Sequence, residues 1–299
     1  MPRNVFRVWQ SVLFLFIAGL SGWYPPATYA YPIDAYEKTG IGRLEYIRRV
    51  EEDLIKGTKQ PKGAMLSSEA VDIRLLGNPE MELPKNDSVF KRQIEGLLGR
   101  YVDRYAVSVL DLSDVDNPRY AEVNGEVARN PGSVGKIIVA LGLYQVLADL
   151  YPDDIGARWK VLRNTQIVAD DFIISDHHPV GMWDRRNQKL VRRPLQIGDT
   201  GSMMEYMDWM ISPSANAAAA TLTKHGMLLH HFRKDYPVGV SVADDYFAKT
   251  PRAELTKRLT TFIQAPVTRN GFDLRKIRQG SFFTRAGKQK VQGTSSYAT

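Results

Sequence analysis

Ile137 to Leu143 contains no polar side chain, and the apolar run continues to Leu150 with only Gln145 and Asp149 as fully polar interruptions. A helix that is apolar nearly all round belongs in the interior, so this stretch is expected to be a central, buried helix around which the rest of the chain packs. The residues leading into it are Asn130-Pro131-Gly132-Ser133-Val134-Gly135-Lys136. They put Ser133 and Lys136 in the first turn, three apart and on one face. An amine so placed can take the hydroxyl proton and leave an activated alkoxide, and a lysine drawn into an interior tends to lose its own proton, as a base must. The plainer reading is that Ser133 caps the helix. A capping box would then want Glu or Gln three residues on. Lysine stands there instead, at the positive end of the helix dipole, where a cation costs roughly 0.3–1 kcal/mol.

Length bounds the organisation: 299 residues suit one large domain, or one domain with an extension. In the first thirty residues Arg3 and Arg7 precede an apolar run from Val12 to Leu20, and Thr28-Tyr29-Ala30 ends on small residues. Residues 1–30 thus read as a secretory signal peptide, too short in its apolar part to remain as a membrane-spanning helix. The expected location is the periplasm, with no stable membrane anchor after cleavage. Cysteine is absent, which removes disulfides, thiolate chemistry and lipidation at an N-terminal Cys. The net charge of +7 reads as a solvated surface, with attraction to anionic cell wall as the alternative. Basic residues gather in Arg275, Lys276, Arg278, Arg285, Lys288 and Lys290 without an interleaved aromatic pattern, so no nucleic-acid partner is expected.

Residues 31–87 mix charge with Pro and Gly and are read as an N-terminal extension packed on the main domain, with one amphipathic helix near Arg43 to Ile55. The main domain is assigned to residues 88–299. Phe90, Ile94, Leu97, Leu98 and Tyr101 recur at helical spacing. Tyr105 to Leu112 and Tyr120 to Val123 read as strands joined by turn residues. After the Ser133 helix, Ser202-Met203-Met204-Glu205 is a capping box opening a short helix whose Met203, Met207 and Met210 are read as core. That helix leads to Ile211-Ser212-Pro213-Ser214-Ala215-Asn216 and an alanine-rich helix, which Ser214 or Asn216 could simply cap.

Taken with Ser133 and Lys136, the Ser214-Ala215-Asn216 triplet makes an ordered pair of motifs, Ser-x-x-Lys and then Ser-x-Asn. From about residue 88 onward the chain resembles the penicillin-recognising serine enzymes, the class A β-lactamases and related penicillin-binding D,D-peptidases. It is most like the exported serine hydrolases related to class A. The resemblance implies an α+β fold of the β-lactamase/transpeptidase type, with a helical subdomain and an antiparallel sheet. It implies Ser133 as nucleophile, Lys136 as its base, Ser214 as the proton relay to the leaving nitrogen and Asn216 as the holder of the substrate amide. The substrate would be a small molecule or peptide, a β-lactam or a cell-wall-like amide, and no cofactor is called for. A non-catalytic ligand-binding or sensor module on the same fold, and a D,D-peptidase acting on cell-wall peptides, are the alternatives.

Two departures qualify the resemblance. The family's Lys-Thr/Ser-Gly strand should follow Ser-x-Asn. Lys38-Thr39-Gly40 lies before the nucleophile, and Lys290-Val291-Gln292-Gly293 has one residue too many. Gly293 to Thr299 resembles instead the Thr-rich segment that opens a helix ahead of that strand, which implies a chain ending before the remaining strands. The Arg-x-x-Glu-x-x-Leu-Asn loop that supplies a deacylating acid is also missing, Asp273 being the sole carboxylate between Phe272 and Gly293. Fast β-lactam hydrolysis is therefore not expected. Asp176-His177-His178 with His225, His230 and His231 offers a zinc-site reading, but His230 and His231 point apart on a helix, and no metal is assigned.

Overall fold

Helices dominate because most of the chain repeats its apolar residues at three and four, and each buries one stripe against its neighbours. The computed structural model describes residues 32–61, 65–72, 74–78, 80–127, 132–173, 176–273, 278–286 and 289–297, the last two stretches as backbone. The expected signal peptide lies outside them. The helices are α1 (Ala35–Thr39), α2 (Gly42–Glu51), α3 (Ser88–Leu98), α4 (Ile137–Leu150), α5 (Ile155–Asn164), α6 (Met203–Ile211), α7 (Asn216–Phe232), α8 (Val240–Lys249) and α9 (Arg252–Arg269). The strands are β1 (Val107–Asp111), β2 (Arg119–Val123), β3 (Gln166–Val168), β4 (Val180–Asp184), β5 (Lys189–Arg193), β6 (Thr200–Ser202), β7 (Arg278–Ala286) and β8 (Gln289–Tyr297). They form four separate antiparallel pairs, β1–β2, β3–β6, β4–β5 and β7–β8. The architecture is a mixed α+β one, a helical subdomain with small open antiparallel sheets.

The main core gathers α4, α6, α7, α8 and α9. Helix α4 turns Leu143, Val146, Leu147 and Leu150 inward, a stripe at i, i+3, i+4 and i+7. Its opposite side corrects the expectation of burial all round: Ile137, Leu141 and Tyr144 are exposed, as is Val134 in the turn before them. The reason is geometric. Helices α7 and α9 pack on one side of α4, and a helix buries only the stripe its neighbours cover. Close approach on that side is set by Phe262, itself fully buried. A Cβ at Gly142 would come within 2.8 Å of its ring, and one at Gly226 within 2.3 Å. Phe262 of α9 therefore occupies the room that two glycines leave open on α4 and α7.

Helix α6 is buried on most of its surface, and Met203, Met207 and Met210 all join the core. Ser202 accepts the Glu205 N–H at 3.1 Å and the Ser202 N–H donates to the Glu205 carboxylate at 2.9 Å, so the capping box forms as its sequence pattern predicts. The other Glu205 oxygen accepts the Gly42 N–H at 3.0 Å, and Arg43 forms a largely buried ion pair with Asp208. Ala35, Ile41 and Leu44 enter the same core as the central helices. The amphipathic helix of this segment ends at Glu51 rather than near Ile55.

A second small cluster packs α3 on the β1–β2 hairpin through Ile94, Ala121 and Val123, with Phe90 and Leu98 alongside. Leu97 and Tyr101, expected in that stripe, are exposed. Gly99 adopts φ +53°, and a 3₁₀ segment, Gly99–Arg104, follows, carrying Tyr101 off the helical face. There its ring takes the guanidinium groups of Arg100 and Arg104. At the other end of the chain, Gly293 to Tyr297 lies on strand β8, paired with β7. The start of a helix expected there is not formed, and β8 instead runs beside α9. Lys290 stands on β8 opposite Arg285. Lys38-Thr39-Gly40 closes helix α1, where Lys38 pairs with Asp34 at 2.8 Å. It belongs to no strand.

The Phe262 wedge makes a direct prediction for stability. Phe262→Ala should cost about 3–5 kcal/mol and Gly226→Ala about 1–3 kcal/mol. Because the added methyl would occupy space vacated by the ring, the double variant should be more stable than the two losses together imply. Denaturant unfolding of the four proteins measures this; strict additivity would show that the ring and the glycine do not share the space.

Candidate active site

The start of α4 and the start of α7 meet at one lysine. Lys136 ends a 3₁₀ turn, Gly132–Lys136, that runs directly into α4. Gly132 enters that turn at φ +54°, a left-handed backbone for which glycine carries no side-chain penalty. The Lys136 ammonium donates to Ser133 Oγ at 3.3 Å and to Ser214 Oγ at 3.1 Å, and it also bonds the Ser214 carbonyl. Ser133 is exposed while Lys136 is half-buried. Burial pushes the Lys136 amine below its ordinary value, against the opposing pull of the Asp176 carboxylate. The lysine thus stands between two hydroxyls, one open to solvent.

Neither serine caps a helix. Helix α4 has Lys136 at its N-cap position with no side-chain cap, so the capping reading of Ser133 is set aside. Helix α7 has Ala215 at its N-cap, which offers no acceptor. Ser214, just before it, holds φ +64°, a left-handed conformation that costs a non-glycine residue about 1–3 kcal/mol and is concentrated at functional sites. This conformation accompanies a Ser214 whose hydroxyl and carbonyl both face Lys136.

The missing cap comes from a distant loop. Asp176 accepts the Asn216 N–H at 2.5 Å and the Ala217 N–H at 3.1 Å on one oxygen. Its other oxygen takes the His178 N–H at 3.2 Å, His178 Nδ1 at 2.6 Å and the Asn216 side-chain amide at 3.4 Å. Its side chain is 2% exposed. Burial alone would raise this carboxyl, but the hydrogen bonds from His178, Ala217 and Asn216 outweigh it and hold it at about 2.

Lys136 thus joins Ser133 to Ser214, although 78 residues separate Lys136 from Ser214, and Asn216, two residues beyond Ser214, is bonded to Asp176. Asp176 is the residue that sequence reading missed, having grouped it with histidines as a metal reading. Side-chain ligand atoms of Asp176, His177 and His178 do lie within 4.8 Å of one another. The carboxylate's capacity, however, goes to the helix N–H groups and His178, while His177 is exposed and stacks on His178 at 4.3 Å. Two further histidines are engaged elsewhere. His225 bonds the Tyr236 hydroxyl at 2.8 Å, burial holding it neutral down to about 4, and His231 stacks on Tyr246. The signal that could have pointed to Asp176 is the alanine at the α7 N-cap, which leaves a seventeen-residue helix needing an acceptor from elsewhere.

No protein-family model, curated protein or solved structure matches this chain.

The lysine's surroundings are open to direct measurement. After reductive ¹³C-methylation, the Lys136 resonance, assigned by its loss in Lys136→Arg, should titrate with a midpoint below the ordinary lysine value. A midpoint in the exposed-lysine range would contradict the partly desolvated setting described.

Proposed function

We propose that this chain is an exported serine hydrolase of the β-lactamase/transpeptidase type, working through an acyl-enzyme on Ser133. The observation that carries the reading is the placement of one lysine amine between two hydroxyls, at 3.3 Å from Ser133 Oγ and 3.1 Å from Ser214 Oγ. Neutral Lys136 accepts the Ser133 proton as Oγ attacks the carbonyl carbon of an amide or β-lactam. The new Oγ–C bond forms and a tetrahedral oxyanion develops. The Ser133 N–H, in the tight turn at the head of α4, would donate to that oxyanion. As the C–N bond breaks, the proton passes from Lys136 through the Ser214 hydroxyl to the leaving nitrogen. Asn216, at the first position of α7, contributes its side-chain amide to the substrate. Water then cleaves the Oγ–C ester, slowly in the absence of the family's deacylating acid, releasing the carboxylic acid and restoring the Ser133 hydroxyl.

Several features support the reading: Ser133 is exposed, Lys136 is half-buried, and Ser214 sits in a strained backbone conformation at the contact. The two motifs, distant in sequence, meet where Lys136 contacts both Ser133 and Ser214, a juxtaposition consistent with the resemblance. Substrates are accordingly a β-lactam or a cell-wall-like amide.

A fluorescent penicillin and a fluorophosphonate are the probes, with the modified peptide mapped by mass spectrometry. Labelling should fall on Ser133 and vanish in Ser133→Ala, and Lys136→Ala should slow it about 100- to 10,000-fold, the range of a general base. Labelling that survives Ser133→Ala moves the nucleophile elsewhere. A stable adduct without turnover assigns the chain to penicillin-binding sensors, and release of D-alanine from an acyl-D-alanyl-D-alanine peptide assigns it to the peptidases.

A further inference from the structure

We infer that Asp176 is a positioning residue of the Ser133 site, pinning the Ser214-Ala215-Asn216 corner to the head of α7 so that Ser214 stays on Lys136. The inference rests on the serine-hydrolase reading for its catalytic meaning, but its geometry stands apart from that reading. Asp176 lies 40 residues from Asn216 in the chain, on a loop that belongs to neither motif. Its carboxylate is nearly sealed from solvent and accepts five hydrogen bonds, three of them from Asn216 and Ala217. The corner it holds has no cap of its own, because Ala215 occupies the N-cap position. Ser214 immediately before that corner is in the left-handed region, a conformation that persists only when surrounding contacts enforce it. Lys136 restrains Ser214 from one side, and Asp176 restrains the chain two residues further on.

The same carboxylate bears on the lysine's charge. Among the described residues, Asp176 is the charged group that acts on Lys136, and it favours the protonated amine. Asp176 in turn holds Nδ1 of His178, whose ring stacks on His177. Asp176 therefore fixes where Ser214 lies and moderates how readily Lys136 gives up its proton. It touches no reacting atom in this arrangement, which is why its role is positioning.

The test compares the full chain with Asp176→Asn, Asp176→Ala and His178→Gln, using acylation by a fluorescent penicillin from pH 5 to 10. Asn keeps an oxygen acceptor for the α7 N–H groups but removes the charge. Its plateau rate should fall about tenfold, and its rising limb should move to lower pH, as loss of a nearby opposite charge lowers a lysine. Ala also removes the acceptor and should lower the rate about 100-fold, the effect of a misplacement near 1 Å. In that variant the Asn216 and Ala217 amides should lose hydrogen-exchange protection while those deep in α7 keep theirs. A merely structural role would lower the rate without moving the limb.

An unshifted limb and unchanged plateau in Asp176→Asn would overturn the inference, as would a limb that follows His178→Gln rather than Lys136. If wild-type Ser133 is not acylated at all, the hydrolase reading fails on its own. The positioning claim is then decided by the ¹³C-methyl-lysine titration of Lys136 and the two amides. Both unaltered in Asp176→Asn and Asp176→Ala would refute it; a lowered Lys136 midpoint and unprotected amides would uphold it.

Discussion

The packing of Phe262 over two glycines governs how close α4 and α7 can come. Gly142 sits six residues beyond Lys136 on α4, and Gly226 sits ten residues beyond Asn216 on α7. With the ring of Phe262 pressed against both backbones, the two helices are held at a fixed approach along one side of α9. Dense interiors do not deform smoothly, so this approach sets the spacing at the helix starts. There a 3.1 Å contact joins Lys136 to Ser214, and a displacement of an ångström would open it.

Around that cluster the electrostatics are arranged in opposition. Burial drives the Lys136 amine toward its neutral form, and the nearby Asp176 carboxylate restrains it. Asp176 remains ionised because N–H donors from His178, Asn216 and Ala217 engage both its oxygens, and a carboxylate so hydrogen-bonded bears a setting that would otherwise neutralise it. This division of labour places the negative charge at a helix N-terminus, where the dipole also favours it. In the proposed mechanism this amine carries the proton between the two hydroxyls.

The segment before residue 88 is tied to the helices by side chains that also serve other ends. Glu205 closes the capping box of α6 with one oxygen and holds the backbone of Gly42 with the other. A Cβ at Gly42 would meet that carboxylate at 3.1 Å and Trp183 at 3.2 Å, so glycine lets the chain pass this close without displacing either neighbour. Arg43 then pairs with Asp208 one turn further along α6. Helix α2 thus docks by interactions that its own amphipathic pattern does not announce.

What the sequence by itself determined is local. The capping box at Ser202 to Glu205, the methionine stripe on α6, the β1–β2 hairpin and the shared face of Ser133 and Lys136 all depend on residues within a few positions of one another, and helical or strand periodicity makes them legible. The resemblance joined Ser133 and Lys136 to Ser214 and Asn216 by motif order alone. The tertiary structure decided which side of α4 is covered, since that depends on where α7 and α9 lie and not on the composition of α4. It decided that the segment from Gly293 is a strand, because pairing with β7 completes its backbone hydrogen bonds. It also decided that Asp176, not Ser214 or Asn216, caps α7. A cap needs only an acceptor at the right point in space, and a carboxylate 40 residues away satisfies that need without leaving any periodic trace in the chain.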